Sequence, residues 1–92
     1  MCLRLELREV LCGGVIVVVK KTPFRLLTLL ARHPREVVSR RRIFKEIWGY
    51  DFDTRTKRIE VQVHYLRGVL ATVGCSARIQ THRGIGLSLL DS

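Results

Sequence analysis

No stretch of this chain approaches the roughly 18 consecutive apolar residues of a membrane-spanning helix; the apolar run Val15 to Val19 is only strand-sized. An uninterrupted apolar segment is also missing from the amino terminus, where Arg4, Glu6, Arg8 and Glu9 exclude a secretory signal. Cysteine is scarce. Cys2, Cys12 and Cys75 are odd in number, without C-x-x-C spacing or a histidine at zinc-ligand distance, which excludes a disulfide framework and a structural metal site. Free thiols in a reducing cytoplasm are expected. His33, His64 and His82 are scattered and join no Ser/His/Asp or paired-carboxylate constellation, so neither an enzyme nor a cofactor is expected. Repeats, linkers and low-complexity segments are absent, and 92 residues are too few for two domains; residues 1–92 are expected to form one.

Acidic residues are the last shortage. Eight Asp and Glu against 17 Lys and Arg leave a formal net charge of +9 and a pI near 10.5. Such a surface calls for a polyanionic partner, and with no spanning segment that partner is nucleic acid rather than membrane. At 47% hydrophobic and 27% charged, the chain is also far from a disordered composition.

Residues Leu3 to Val19 alternate or run apolar around Gly13-Gly14, predicting a small antiparallel sheet with a hairpin between Glu9–Cys12 and Val15–Val19. Thr22-Pro23 reads as a helix start, threonine as cap and proline at the first helical position. Phe24, Leu27 and Leu30 then share one face, Leu26 and Leu29 widen it, and Arg32-His33-Pro34 ends it. Ser39 predicts the cap of a second helix through Trp48, with Ile43, Phe44 and Ile47 buried and Gly49 as its stop. Arg40, Arg41 and Arg42 fill the first turn of that helix, where the macrodipole prefers carboxylates. Two readings stand for them: a solvated cluster, or phosphate contacts.

Residues Arg58 to Leu70 fit two periods, since Ile59, Val61, Val63 and Tyr65 alternate while Ile59, Val63, Leu66 and Leu70 repeat at helical spacing. The helical pattern extends further, through Val73, and is adopted; it gathers Lys57, Arg58, Val61, His64, Tyr65 and Gly68 on the opposite face. Gly74-Cys75-Ser76 reads as a loop. Arg78–Thr81 and Gly86–Leu90 read as strands joined by Arg83-Gly84-Ile85.

Five segments, Phe24-Arg25-Leu26-Leu27 with Leu30-Ala31-Arg32-His33-Pro34, Val38-Ser39-Arg40, Ile47 to Asp53, Tyr65-Leu66-Arg67 and Gln80 to Gly86, stand in register over nearly the whole chain. In order and spacing they resemble the OmpR/PhoB-type winged-helix output domain of bacterial two-component response regulators. The resemblance implies an α+β winged helix-turn-helix: a sheet over about 3–19, a helical core over about 22–73 and a hairpin wing over about 78–90. It implies a transcription regulator in phosphorelay signal transduction, its third helix in the major groove, its wing in the minor groove, and two copies on direct repeats of double-stranded DNA. Lys57, Arg58 and Arg67 then suit phosphate or base contact, Val61 a thymine methyl, and His64 and Tyr65 base edges. Thr81 matches a backbone-binding position and Arg83 one entering the minor groove, with Arg40 and Arg42 as further phosphate candidates. The loop containing Gly49, Tyr50, Asp51 and Asp53 resembles the connection that can touch RNA polymerase, while Trp48 reads as a packed helix-end residue.

Departures from the family pattern cluster near these positions. Lys20-Lys21-Thr22-Pro23 replaces a Thr-x-x-Glu capping box, leaving Thr22 to cap alone, at a cost of about 1 kcal/mol. Gly68 and Val69 replace a basic pair, and Leu87 an aromatic residue; Arg41 or Arg42 stands where an acidic residue is expected. A receiver domain with its phosphoacceptor is not among these residues, so control by phosphorylation from within is not expected. The alternative reading is a degenerate winged helix that binds protein through an apolar strand edge and DNA only non-specifically.

Overall fold

The computed structural model describes residues 1–90. Three strands open the chain, β1 (Cys2–Arg4), β2 (Glu9–Cys12) and β3 (Val15–Val18), paired antiparallel in the order β1-β2-β3. Val10 stands opposite Leu3 and Val17, forming the row turned to the core, and Val10 is fully buried. The expected hairpin is therefore present, with Cys12 opposite Val15.

Helix α1 (Lys21–Ala31) begins two residues earlier than the sequence predicts. Its cap residue is Lys20, which supplies no side-chain hydrogen bond, so Thr22 does not cap it. Pro23 sits third in the helix, where a missing N–H still costs no intrahelical bond. Leu26, Leu27 and Leu30 are fully buried on the expected face, each contributing roughly 1.5–3 kcal/mol. A two-residue strand, β4 (Val38–Ser39), leads into α2 (Arg40–Trp48). Ser39 Oγ accepts from the Arg42 N–H at 3.1 Å, and Gly49 closes the helix in the left-handed region at φ 78, both as expected.

Helix α3 (Arg58–Thr72) resolves the competing periodicities, because Ile59, Val63, Leu66 and Leu70 are buried while Val61 is 61% exposed. The strand-like alternation depended on Val61, which the core does not use. Val69, standing where the resemblance calls for a cation, is buried too. Strands β5 (Arg78–His82) and β6 (Gly86–Leu90) form the wing, and β6 also pairs with β4 in the order β4-β6-β5. Leu87 lies opposite both Val38 and Thr81 and is buried, so an aliphatic side chain fills the place expected for an aromatic.

Gly86 is required for a reason other than a thin wing tip. A Cβ there would lie 1.9 Å from the Val38 carbonyl oxygen, so the β4–β6 junction closes only on glycine. Three helices between a short amino-terminal sheet and a carboxy-terminal hairpin make this a winged helix.

Candidate nucleic-acid interface

A groove of about 280 Å3 runs between α3 and the wing, lined by Arg40, His64, Arg67, Thr81, His82 and Arg83 among others. Among the described residues, Glu60 is the single carboxylate in its lining. Helix α3 supplies one wall because its buried positions fix its rotation, which turns Val61 and His64 outward. The wing supplies the other. Its turn closes with the Ile85 N–H donating to His82 O at 2.9 Å around Gly84 at φ 73, a conformation that glycine adopts without strain. Arg83 and Ile85 are exposed at the tip, Ile85 by 62%.

The two walls are tied together. Arg67 Nη2 donates to the Ile79 carbonyl at 2.9 Å and to Thr81 Oγ1 at 3.1 Å, joining α3 to β5. Arg67 and Thr81 thus act first on each other, although Thr81 keeps a hydroxyl proton to donate. The Arg40 N–H donates to Ile85 O at 3.0 Å, which satisfies the first open donor of α2 and fastens the wing to it. His82 Nε2 lies 2.8 Å from Ser88 Oγ, a partly buried pair that stiffens the hairpin.

The arginine cluster at the start of α2 is divided, with Arg40 drawn into the structure while Arg41 and Arg42 stay exposed. Arg40 bridges three segments: its Nε donates to Asp53 Oδ2 at 2.9 Å, its Nη1 to Glu60 Oε1, and its Nη2 to the Thr56 carbonyl at 3.3 Å. Burial opposes its charge, but Glu60 and Asp53 outweigh that and raise its pKa. With three of its five N–H donors engaged, Arg40 ties the start of α2 to the following loop and to α3. Arg41 Nε donates to the Asp51 carbonyl at 3.0 Å, and Arg42 Nη2 lies 3.0 Å from His33 Nε2. Both remain exposed.

Asp53 is likewise turned inward. The Arg55 N–H, donating to Oδ1 at 2.8 Å, is the main cause holding the Asp53 carboxyl below the usual carboxylate range, with Arg40 adding to it against an opposing burial effect. That bond also holds Arg55 at φ 57, a left-handed backbone costing on the order of 1 kcal/mol in a non-glycine residue. Of the four loop residues named from the sequence, Gly49 ends α2, Tyr50 packs at 6.2 Å from the Phe44 ring, and Asp51 alone presents a free-facing carboxylate. Trp48 stacks at 5.3 Å from Phe44, as its helix-end reading implied.

Tyr65 is not brought to the α3 surface that carries Val61 and His64. It is half-buried against the core, its hydroxyl accepts from the Lys20 N–H at 3.4 Å, and Lys20 Nζ stands 5.6 Å from its ring centre. Helical spacing alone groups 61 with 65, but the start of α1 covers the latter. Lys57 and Arg58 are exposed at the amino-terminal end of α3, where Lys57 adds no side-chain cap and Arg58 lies over the Tyr50 ring at 5.7 Å. Arg55, not singled out from the sequence, is exposed two residues before Lys57. The Asp-x-Arg turn at Asp53 was a local signal for Arg55.

Comparison with known proteins matches residues 14–89 to the family described as "Transcriptional regulatory protein, C terminal". The chain is 41% identical over 85 residues to response regulator MprA of Mycobacterium leprae, an alignment covering 92% of this chain and 37% of that protein. It therefore spans little more than a third of the length of the curated relatives it matches. Among solved structures, the DNA-binding domain of Bacillus subtilis CssR superposes with a TM-score of 0.77 at 27% identity, covering 96% of this chain and 97% of that one. The Klebsiella pneumoniae RstA DNA-binding domain in complex with the RstA box gives 0.77 at 26% identity, covering 92% and 85%.

Proposed function

The chain belongs to the transcriptional regulatory protein C-terminal family, and we propose from that membership that it binds duplex DNA as the output domain of a response regulator. The observation that carries this reading is the cationic groove between α3 and the wing, where Arg40, Arg67 and Arg83 stand against Glu60. An α-helix of 15 residues is roughly 22 Å long and fits a major groove about 12 Å wide. Val61 and His64 then face base edges, Lys57 and Arg58 the flanking phosphates. From the far wall Arg83 reaches the adjacent minor groove, whose negative potential favours a guanidinium. Arg67, Thr81 and Arg40 hold helix and wing at the spacing that such straddling needs.

Two copies on direct repeats, a signal arriving by phosphorelay and a cytoplasmic location belong to the same reading. Contact with RNA polymerase belongs to it through Asp51 and not Asp53, whose carboxylate is taken up by Arg40 and the Arg55 N–H. No described helix is long and apolar enough to cross a membrane. The exposed apolar residues Ile16 and Val18 on the outer face of β3 favour a second reading, a protein contact at the amino-terminal sheet.

Mobility-shift titration at several salt concentrations tests the reading. Binding should fall steeply with salt, and a selected site should be preferred over random duplex by about a thousandfold. No shift at low salt, or one indifferent to salt, contradicts it. Arg83→Ala should weaken binding about tenfold and relax preference for A·T pairs flanking the site; an unchanged footprint removes the wing from the account.

A further inference from the structure

We infer that the loop from Asp51 to Lys57 forms an additional backbone-phosphate surface for the same duplex, with Arg55 as its outermost contact. This rests on the duplex-binding reading above. The loop carries two acids and has five cations in or beside it, Arg40, Arg41, Arg55, Lys57 and Arg58, yet their orientations differ. Asp53 faces inward, ion-paired with Arg40 at 2.9 Å and accepting from the Arg55 N–H at 2.8 Å. Arg40 is spent on that acid, on Glu60 and on the Thr56 carbonyl. What remains outward is Arg41, Arg55, Lys57 and Arg58, all exposed, against Asp51. A loop that reads as acidic in sequence therefore presents a basic face.

That face is also held in shape, which lowers the ordering cost of binding. Arg55 is pinned at φ 57 by Asp53, Arg41 lies along the loop on the Asp51 carbonyl at 3.0 Å, and Arg58 rests over Tyr50. The position suits DNA: Lys57 immediately precedes α3, so a helix entering the major groove carries this loop against the strand at the groove's edge. The excess of cations favours a polyanion over a protein surface, despite the exposed ring of Phe52.

The test is Arg55→Asn in the full 92-residue chain, asparagine being tolerated at left-handed φ. Far-UV circular dichroism and the thermal midpoint should match the parent. Equilibrium binding should weaken several-fold on a selected site and equally on random duplex. The slope of log K against log salt should shrink by about 0.9, one phosphate's worth. If the parent binds duplex and the variant keeps the parental slope, the loop proposal is overturned while helix and wing stand; this includes the case in which the variant loses only an acidic protein partner. If the parent itself binds no duplex, the functional reading fails first. Should Arg55→Asn alter the fold, Arg55→Lys, which keeps one charge, must retain the slope for the proposal to survive.

Discussion

Arg67 Nη2 lies 3.1 Å from Thr81 Oγ1, so one guanidinium sets the distance between the exposed face of α3 and the wing. The same nitrogen reaches the Ile79 carbonyl on β5, an edge strand of its sheet. Arg67→Ala should therefore destabilise the fold by about 1–3 kcal/mol, the range for two lost hydrogen bonds from a charged donor. Urea unfolding checks this. A variant as stable as the parent would show that the wing is held by its own hairpin, its pairing with β4 and the Arg40 N–H without this side chain.

Gly86→Ala should be more damaging. A methyl group directed at the Val38 carbonyl forces β4 and β6 apart, and overpacking of this kind costs about 1–3 kcal/mol or more. The thermal midpoint should fall by roughly 4–8 °C per kcal/mol in a domain of this size. A midpoint within one degree of the parent would mean that β4 does not pair with β6 in solution.

Asp53 makes stability depend on acidity. Its folded pKa lies below the unfolded value near 3.9, chiefly through the Arg55 N–H, so its contribution is complete above that value and is lost as pH falls through the folded one. Asp53→Asn should be less stable than the parent at pH 7, and the gap should close below about pH 4. Urea midpoints measured across pH 3 to 7 test the sign; a gap that widens with acid would contradict it.

Val61→Ser separates reading from folding. The side chain is 61% exposed, so stability should change by less than about 0.5 kcal/mol. Preference for the selected duplex should decline, with non-specific affinity intact. Equal affinities for matched and thymine-substituted sites in the parent would remove Val61 from base contact.

Most of the fold was legible because local chemistry agreed with it. Ser39 and Gly49 marked the ends of α2, Gly13-Gly14 the first hairpin, and Arg83-Gly84-Ile85 the turn of the wing. What escaped was long-range. Strand β4 is two residues that exist only by pairing with Leu87 and Gly86, and Arg40 finds its partners 13 and 20 residues away. Tyr65 shares helical spacing with Val61, but no pattern within α3 announces that Lys20 will cover it. At the interface, residue types were readable while their orientation was not: Asp53 and Arg40 neutralise each other, leaving Arg55 and Arg83 outward.

The central claim is that α3 and the wing engage one duplex from the same side. Amide chemical-shift mapping of the chain titrated with a selected duplex tests it most directly. The largest changes should fall on Lys57 to His64 and on His82 to Ile85, with β1 to β3 unmoved. Perturbations confined to the amino-terminal sheet, or to α3 with the Arg83 turn silent, would contradict it.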